Sequence, residues 1–164
     1  MVNEIVSILK ARFPDSLLDI PSEGRSIVVT VKKEDFYPLL SQLKESGFDH
    51  FSDVSVVDYP DEQRFEMVYH LWSHQKKIRA IVKVAIPRES PAVKSVIDLW
   101  TGAQVHEREN HELFGIGFEG NPNLSELFLE DWEEIPPFRK DFDTRKYVKE
   151  KYYREEEGYP IVKG

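Results

Sequence analysis

The sequence predicts an α+β fold, in which a two-layer domain with a mainly antiparallel sheet and packed helices is followed by an irregular C-terminal tail. Three strand-like runs follow one another between residues 51 and 86, and the short turns between them indicate an antiparallel meander. Helical patterns precede these runs, whereas residues 115–164 are rich in glycine, proline and aromatic side chains. We expect an α+β domain at residues 1–120 and an extended segment at residues 121–164.

The first half of the domain is predicted to alternate helix, strand and helix. Apolar residues recur at helical spacing in residues 3–13 until Pro14 stops the pattern. The β-branched run at residues 26–32 predicts a strand, and the helix after it ends at Gly47. One face of that second helix carries four apolar residues, which are Phe36, Leu39, Leu40 and Leu43.

The meander is predicted to use residues 51–59, 65–74 and 77–86. Its last strand places every second residue on one apolar face, and these residues are Ile78, Ala80, Val82, Val84 and Ile86. Residues 92–114 then predict a helix that is broken near Thr101-Gly102. The tail after Gly115 is too aromatic for a solvated linker, so we expect it to pack along another surface.

Composition narrows the classes of function. Hydrophobic residues make up 40% of the 164 residues and charged residues 32%, which is typical of a globular domain. The chain has no cysteine, which excludes disulfides, a thiolate nucleophile and cysteine-ligated zinc or iron–sulfur clusters. It has no run of 18 apolar residues and no signal-like start, so we expect neither membrane insertion nor export.

The net charge of −8 is concentrated in one stretch. Residues 106–134 carry nine acidic side chains and one basic side chain, whereas the rest of the chain is nearly balanced. Such a stretch repels phosphate backbones and favours a basic partner surface. We therefore expect no binding to nucleic acid.

Two short patterns resemble cofactor motifs but have the wrong context. Gly115-Ile-Gly117-Phe-Glu-Gly120 matches the dinucleotide fingerprint G-x-G-x-x-G, yet a helix precedes it and Pro122 follows, so a glycine-bent turn is the better interpretation. His106 and His111 are five residues apart, and side chains with this spacing diverge by about 140° around a helix. They cannot share one metal ion as histidines four apart can.

Other histidines and carboxylates offer no catalytic pattern. His70 and His74 lie on one predicted strand about 13 Å apart, which is too far for one ion. No nucleophile elbow, P-loop or S-x-x-K motif occurs, and the carboxylates show no acid–base pairing. We expect no catalytic, cofactor-binding or metal-binding residue in this chain.

Residues 99–114 and 130–142 carry mixed polar and apolar side chains. Every helical face of the first segment that holds large apolar residues also holds polar ones, which must pair if the face is buried. Arg108 with Glu112, together with Glu109, are the local candidates, and a solvated charged face is the alternative. In the second segment aromatic residues alternate with charges across Pro136-Pro137, which indicates a protein interface.

Two blocks of sequence resemble a known family. Residues 107–122 read E-R-E-N-H-E-L-F-G-I-G-F-E-G-N-P, and a second block has D-W-E at 131–133 and P-F-R-K-D-F at 137–142. These blocks resemble the signature of the 30-kDa (C) subunit of complex I. The resemblance covers about residues 91–143.

The resemblance implies a non-catalytic, peripheral subunit of a membrane-bound, ion-translocating oxidoreductase, on the cytoplasmic side of the cell membrane. It implies partners in the large catalytic subunit (49-kDa or [NiFe]-like) and the small iron–sulfur subunit, and cofactors only in those partners: iron–sulfur clusters and, in one branch, a [NiFe] centre. It also implies two groups of interface residues. The structured turn would contain Glu107, Arg108, Glu109, Phe114, Gly115, Gly120 and Pro122, and the segment along the partners Trp132, Pro137, Arg139, Lys140, Asp141 and Phe142.

Departures from the family pattern favour one branch. Quinone-linked members usually have an aromatic residue where Val105 stands, Tyr-Asp at His111-Glu112, His at Asn121 and a basic pair at Ser125-Glu126. The chain is thus more similar to the membrane-bound hydrogenase and sulfur-reducing branch. The alternatives are the C subunit of a quinone-linked NADH or F420H2 dehydrogenase, a stand-alone nucleotide-binding protein, and a scaffold module unrelated to redox chemistry.

Overall fold

The computed structural model describes residues 2–19 and 22–152, and the helices and strands in these ranges form two layers. Their order along the chain is α1 (Val2–Arg12), β1 (Leu17–Asp19), β2 (Ser22–Glu23), β3 (Ser26–Val31), α2 (Lys33–Glu45), β4 (His50–Tyr59), β5 (Arg64–Ser73), β6 (Ile78–Pro87), β7 (Ala92–Lys94), α3 (Ala103–Phe114), β8 (Gly117–Glu119) and α4 (Thr144–Tyr152).

The main sheet has six strands in the order β1-β3-β6-β5-β4, and β2 pairs with β3. All of its pairs are antiparallel except β3 with β6, which are parallel. Strands β4, β5 and β6 form the expected meander. The predicted two-layer α+β fold with a mainly antiparallel sheet is therefore confirmed.

The core lies between one face of this sheet and the helices. Along β5 and β6 every second residue is buried, as the alternation of apolar residues predicts. Helix α2 places its predicted apolar face on this core, where the ring of Phe36 lies 4.8 Å from the ring of Tyr69. Burial of each such side chain contributes roughly 1.5–3 kcal/mol, so this face holds helix and sheet together.

Gly47 ends helix α2, as predicted. Its φ of +91° lies in the left-handed region, and the N–H of Phe48 bonds to the carbonyl of Leu43 at 3.1 Å. This reversal turns the chain from the helix layer into β4 and buries Phe48.

The helix predicted for residues 92–114 is wrong in its first half. Residues 92–94 form β7, turns follow, and the helix is only α3. β7 is stabilised by parallel pairing with β8, from Ala92↔Gly117 to Lys94↔Glu119. The cause is tertiary: a three-residue strand has no local signal strong enough to outweigh helix propensity, and its partner lies about 25 residues further along the chain.

The C-terminal segment is irregular between residues 120 and 143, as predicted, but residues 144–152 form α4. Within the described residues, no helix has the length and apolar character that crossing a membrane requires. The remainder of the predicted C-terminal segment, residues 153–164, lies outside the described residues.

Candidate functional site

Glu107 is the most deeply buried charged residue of α3, with 0% of its surface exposed. Its carboxylate accepts hydrogen bonds from the Ser95 hydroxyl at 2.7 Å, the Val96 N–H at 2.8 Å and the Asn121 side chain at 2.9 Å. Burial raises the pKa of Glu107, and these three bonds only partly oppose that shift. One carboxylate thus joins α3 to the turn after β7 and to the segment after β8.

Asn110 fixes α3 to the edge of the sheet. Its side-chain amide donates to the carbonyl of Val54 in β4 at 2.8 Å and to the carbonyl of His106 at 2.8 Å. The second buried polar group of the helix is therefore also paired, and it occupies a backbone acceptor on edge strand β4.

Arg108 and Glu112 do not pair with each other as predicted. The Arg108 guanidinium donates to the carbonyls of Ser125 and Glu126, and Glu112 accepts the backbone N–H groups of residues 127–129. The interpretation of α3 as a solvated charged face is also wrong. Arg108 and Glu112 bind the main chain of the segment that follows β8.

The charge state of Glu112 fits this role. Burial opposes ionisation, but the N–H groups of Leu127, Leu129 and Phe128 outweigh it, so the pKa of Glu112 is lowered. Because α3 holds residues 125–129 by backbone atoms, the side chains of Ser125, Glu126 and Phe128 stay exposed, while those of Leu127 and Leu129 are half-buried. Phe128 is accordingly 62% exposed.

Residues 136–139 pack against the end of α3. Gly115, the C-cap of the helix, has a φ of +75°, and the Arg139 Nε donates to the carbonyl of Phe114 at 2.8 Å. The backbone N–H of Phe138 bonds to the carbonyl of Leu113 at 3.0 Å. A Cβ on Gly115 would lie 3.0 Å from Pro136 and 3.2 Å from Arg139, so only glycine allows this close approach without displacement.

Asp58 connects the sheet to the same segment. Its carboxylate, only 3% exposed, accepts two bonds from Arg88 at 2.9 and 3.2 Å and the backbone N–H of Lys140 at 2.9 Å. Arg88 also donates to Asp141 at 2.7 Å. Burial opposes the ionisation of Asp58, yet the bonds from Arg88 and Lys140 outweigh it and lower its pKa.

Aromatic side chains complete the segment. The Trp132 ring lies 5.5 Å from Phe142 and 5.0 Å from Tyr147 of α4, and Phe138 packs edge-on against Phe114 at 5.8 Å. Much apolar surface remains outside: Phe138 is 60% exposed and Ile135 46%. Together with Phe128 these two side chains form a set that we call the outward apolar set.

The structure brings most of the predicted interface residues together, but by contacts within the chain. Arg139 is half-buried and donates to the Phe114 carbonyl, Asp141 stays exposed but accepts from Arg88, and Lys140 uses its backbone while its side chain is exposed. Contact of the predicted residues with partners stays a prediction. Glu109 and Pro137 are half-buried, Gly120 has a φ of +95°, and Pro122 is exposed.

Sequence reasoning missed Asp58, Arg88 and Asn110. A signal existed for Asp58, because it stands in β4 at a position whose alternation places it on the core face. Arg88 directly follows the apolar strand β6, and no sequence pattern indicates its role. The burial of Asn110 depends on the distant carbonyl of Val54, which no local pattern indicates.

The glycine triplet bends the chain at Gly115 and Gly120, as predicted, and a short strand that was not predicted lies between them. Gly115 ends α3, Gly117–Glu119 is β8, and Gly120 follows with positive φ. No helix begins directly after it, so the phosphate-binding geometry of the dinucleotide motif is not formed. Among residues 2–19 and 22–152, no three histidine, aspartate or glutamate side chains are grouped so as to hold a metal ion.

Comparison with known proteins gives a consistent result over most of the chain. The family model described as "Respiratory-chain NADH dehydrogenase, 30 Kd subunit" matches residues 29–148. The C subunit of the NADH-quinone oxidoreductase of Moorella thermoacetica is 37% identical over 143 residues, covering 86% of this chain and 95% of the relative. The C subunit of the F(420)H(2) dehydrogenase of Methanosarcina mazei is 35% identical, covering 85% and 90%.

A solved structure agrees with this similarity in three dimensions. One chain of the membrane-bound sulfane sulfur reductase, an archaeal respiratory membrane complex, superposes with a TM-score of 0.84 at 30% identity. The match covers 99% of this chain and 97% of that one.

Proposed function

Because this chain belongs to the respiratory-chain NADH dehydrogenase 30 Kd subunit family, we propose that it is a non-catalytic, peripheral subunit of a membrane-bound, ion-translocating oxidoreductase complex. It binds the large catalytic subunit and lies near the small iron–sulfur subunit, on the cytoplasmic side of the membrane. Iron–sulfur clusters, and in the favoured branch a [NiFe] centre, belong to those partners.

The role of the chain is positional. It braces the large subunit, so that the cofactors of its neighbours keep the spacing that electron transfer requires. No step of the reaction is assigned to a residue of this chain. The described residues offer a rigid surface, because α3 and the ends of β4 and β6 fix the C-terminal segment at several separate points.

The observation that carries this proposal is the outward apolar set on a segment whose backbone is already fixed. Phe128 and Phe138 expose 62% and 60% of their surface although the main chain beside each of them is hydrogen-bonded to α3. Large apolar side chains held in this way lose little further backbone entropy on binding, which makes them suitable anchors.

Charge around these anchors favours a basic partner surface. Acidic side chains surround the outward apolar set in sequence, and those at 126, 130, 131, 133 and 134 are all exposed. The only basic side chain between residues 106 and 138, Arg108, is engaged with backbone carbonyls. A partner that places Lys or Arg around an apolar pocket complements this surface.

The sulfur-reducing and hydrogenase branch is the version we favour. The sulfane sulfur reductase chain matches nearly full length, and the departures at Val105, His111-Glu112 and Ser125-Glu126 point the same way. The quinone-linked branch is the second candidate, and its support is the identity to the relatives from Moorella thermoacetica and Methanosarcina mazei. Two C-x-x-C pairs in the copurifying large subunit, the ligand set of a [NiFe] centre, would decide for the first.

Affinity purification from native membranes tests the proposed function. The tagged wild-type chain is expected to retain an iron–sulfur subunit and a large subunit. Phe128→Ser and Phe138→Ser should each reduce this retention about tenfold or more, because a buried aromatic anchor contributes about 2 kcal/mol or more to binding. Ile8→Ser, which changes an exposed apolar residue on α1, is the matched control and should retain both partners.

Arg139→Ala adds a second arm to the experiment. It removes the bond to the Phe114 carbonyl, which positions Phe138, and should also weaken copurification with the large subunit. Recovery of the wild-type chain without any iron–sulfur partner would instead favour an independent scaffold. Titration with NADH tests the nucleotide-binding alternative, which the position of Gly117 in β8 does not favour.

A further inference from the structure

The second face of the main sheet is open. Helices α1 and α2 pack on the face that carries Tyr69 and Val82, whereas the alternate residues of β5 and β6, such as Trp72 and Ile81, point the other way and are partly exposed. Within the described part of the chain no helix or strand covers them. Because helices cover only one face of the sheet in this two-layer fold, the described residues leave the other face without an intrachain partner.

A cleft of about 540 Å³ lies at one end of this open face. Strand register aligns Ser26, Arg79, Trp72 and His50 in one row across β3, β6, β5 and β4. The cleft is lined by His50, Ser52, Asp53, His70, Leu71, Trp72, His74 and Arg79. None of these lining residues belongs to the outward apolar set or to residues 107–142.

The carboxylates around this cleft are already engaged. Asp49 accepts the backbone N–H of His74 at 3.0 Å and lies 3.1 Å from the ring Nδ1 of the same residue. Asp53, in the cleft, lies 3.2 Å from the ring Nδ1 of His106. His50 stacks edge-on against His74 at 5.3 Å. Within the described residues, the side-chain rings of His50 and His70 form no hydrogen bond, so both rings can bond to a further group.

The rim of the cleft carries positive charge. Residues 67–83 contain four basic side chains and no acidic one. Lys83 lies 3.6 Å from Glu66, but Arg79 donates only to the neutral Ser26 hydroxyl at 3.1 Å, and Lys77 is exposed on the β5–β6 turn. Because Glu66 offsets Lys83, the charges left at this end are Lys76, Lys77 and Arg79 against Asp49 and Asp53, an excess of one positive charge, whereas the C-terminal segment is acidic.

We propose that this cleft is a second interface, which binds an acidic segment of a neighbouring subunit. A carboxylate of that segment enters beside Arg79, within reach of the His50 and His70 rings, and apolar atoms next to it cover Trp72. The excess of cations on the rim and the engagement of Asp49 and Asp53 favour an acidic occupant over a basic one. This inference rests on the proposed function, because it requires that the chain have neighbours in a complex.

Zero-length carbodiimide crosslinking of the native complex tests the proposal, since it joins a lysine amine only to a carboxylate in direct contact. Mass spectrometry should find Lys76 or Lys77 joined to an Asp or Glu of another subunit. In the isolated chain the same lysines should show no such link. If the tagged chain copurifies with its partners but neither lysine is joined to another subunit, the second interface is refuted while the proposed function stands.

Charge reversal provides an independent measurement. Arg79→Glu should lower, by about twofold or more, the salt concentration at which the subunit leaves the complex, because like charges then repel. Lys33→Glu, an equal change at an exposed site on α2, is the matched control and should leave this salt concentration unchanged. Thermal unfolding of the isolated variants checks that both fold.

Two other outcomes would also overturn a proposal. If a folded Arg79→Glu variant leaves the complex at the same salt concentration as the wild type, the second interface is refuted. A crosslink from Lys77 to a second copy of this chain also refutes it. Failure of the wild-type chain to copurify with any redox subunit overturns the proposed function itself, which separates the two failures.

Discussion

Arg88 bridges two carboxylates that are far apart in sequence: its Nε lies 2.9 Å from Asp58 and its Nη2 lies 2.7 Å from Asp141. The first carboxylate belongs to β4 and the second to the C-terminal segment. Asp58 also accepts the N–H of Lys140. The ends of the meander and the R-K-D sequence at 139–141 are thereby fastened as one unit.

Asp58→Asn should destabilise the isolated chain by about 2 kcal/mol at neutral pH, because Arg88 loses a buried, charge-assisted bond. The pKa of Asp58 is lowered in the folded state, so its contribution is present above the ordinary aspartate value and is lost as pH falls through the lowered one. The free energies of unfolding of the wild type and of Asp58→Asn, measured by urea denaturation at several pH values, should become equal in acid. Asp61→Asn, at an exposed site, should change stability by less than about 0.5 kcal/mol. If the difference in stability between the wild type and Asp58→Asn is the same at every pH, the ionised carboxylate of Asp58 is not what stabilises the fold.

Glu107→Gln should show the opposite pH dependence. The pKa of Glu107 is raised on folding, so the carboxyl favours the folded state most at low pH, and this advantage declines as pH rises from the ordinary glutamate value through the raised one. The free energy of unfolding of the wild type relative to Glu107→Gln should therefore fall as the pH rises above the ordinary glutamate value and through the raised one. Glu109→Gln, which changes a half-buried carboxylate two residues further along α3, is the control. A relative stability that rises with pH would show that Glu107 is ionised without cost.

Glu112→Gln should loosen residues 127–129 without unfolding the domain. The carboxylate accepts three backbone N–H groups, and a neutral amide binds them more weakly. Hydrogen exchange at these amides should accelerate about tenfold, whereas amides in β5 keep their protection. The same amides in Glu109→Gln should exchange at the wild-type rate. If protection of residues 127–129 is unchanged, α3 is not what orders the segment.

Gly115→Ala should destabilise the chain by roughly 1–2 kcal/mol. The positive φ is costly for alanine, and the new Cβ would lie 3.0 Å from Pro136 and 3.2 Å from Arg139. Gly102→Ala is the matched control, because Gly102 has a φ of −63° and nothing within 4 Å of the added atom. Thermal unfolding compares the two variants. Equal melting temperatures of Gly115→Ala and Gly102→Ala would show that Pro136 and Arg139 can move away from the added Cβ at little cost in stability.

Local patterns predicted strands β3 to β6 and helices α1 and α2 well, because each pattern repeats over a whole element. The alternation along residues 78–86 and the apolar face that begins at Phe36 predict directly which side chains are buried. Strands β7 and β8 escaped prediction because each has three residues and is formed only by pairing with the other. Helix α4 escaped because no buried face marks it.

The candidate site was predictable in composition but not in orientation. The family resemblance singled out Arg139 and Asp141, yet it gave no sign that both side chains bond within the chain. Arg139 bonds to the carbonyl of Phe114, and Asp141 pairs with Arg88, which is more than 50 residues away in sequence. Pairing over such distances leaves no periodic signal, so only the folded chain reveals it.

The manner in which α3 holds the segment after β8 has an evolutionary consequence. Arg108 binds carbonyl oxygens and Glu112 binds amide hydrogens, atoms that every non-proline residue supplies. The exposed side chains of Ser125, Glu126 and Phe128 can therefore be exchanged for others while the segment stays bound to the same helix. Substitutions at these exposed positions change the outer surface of the segment without changing its attachment to α3.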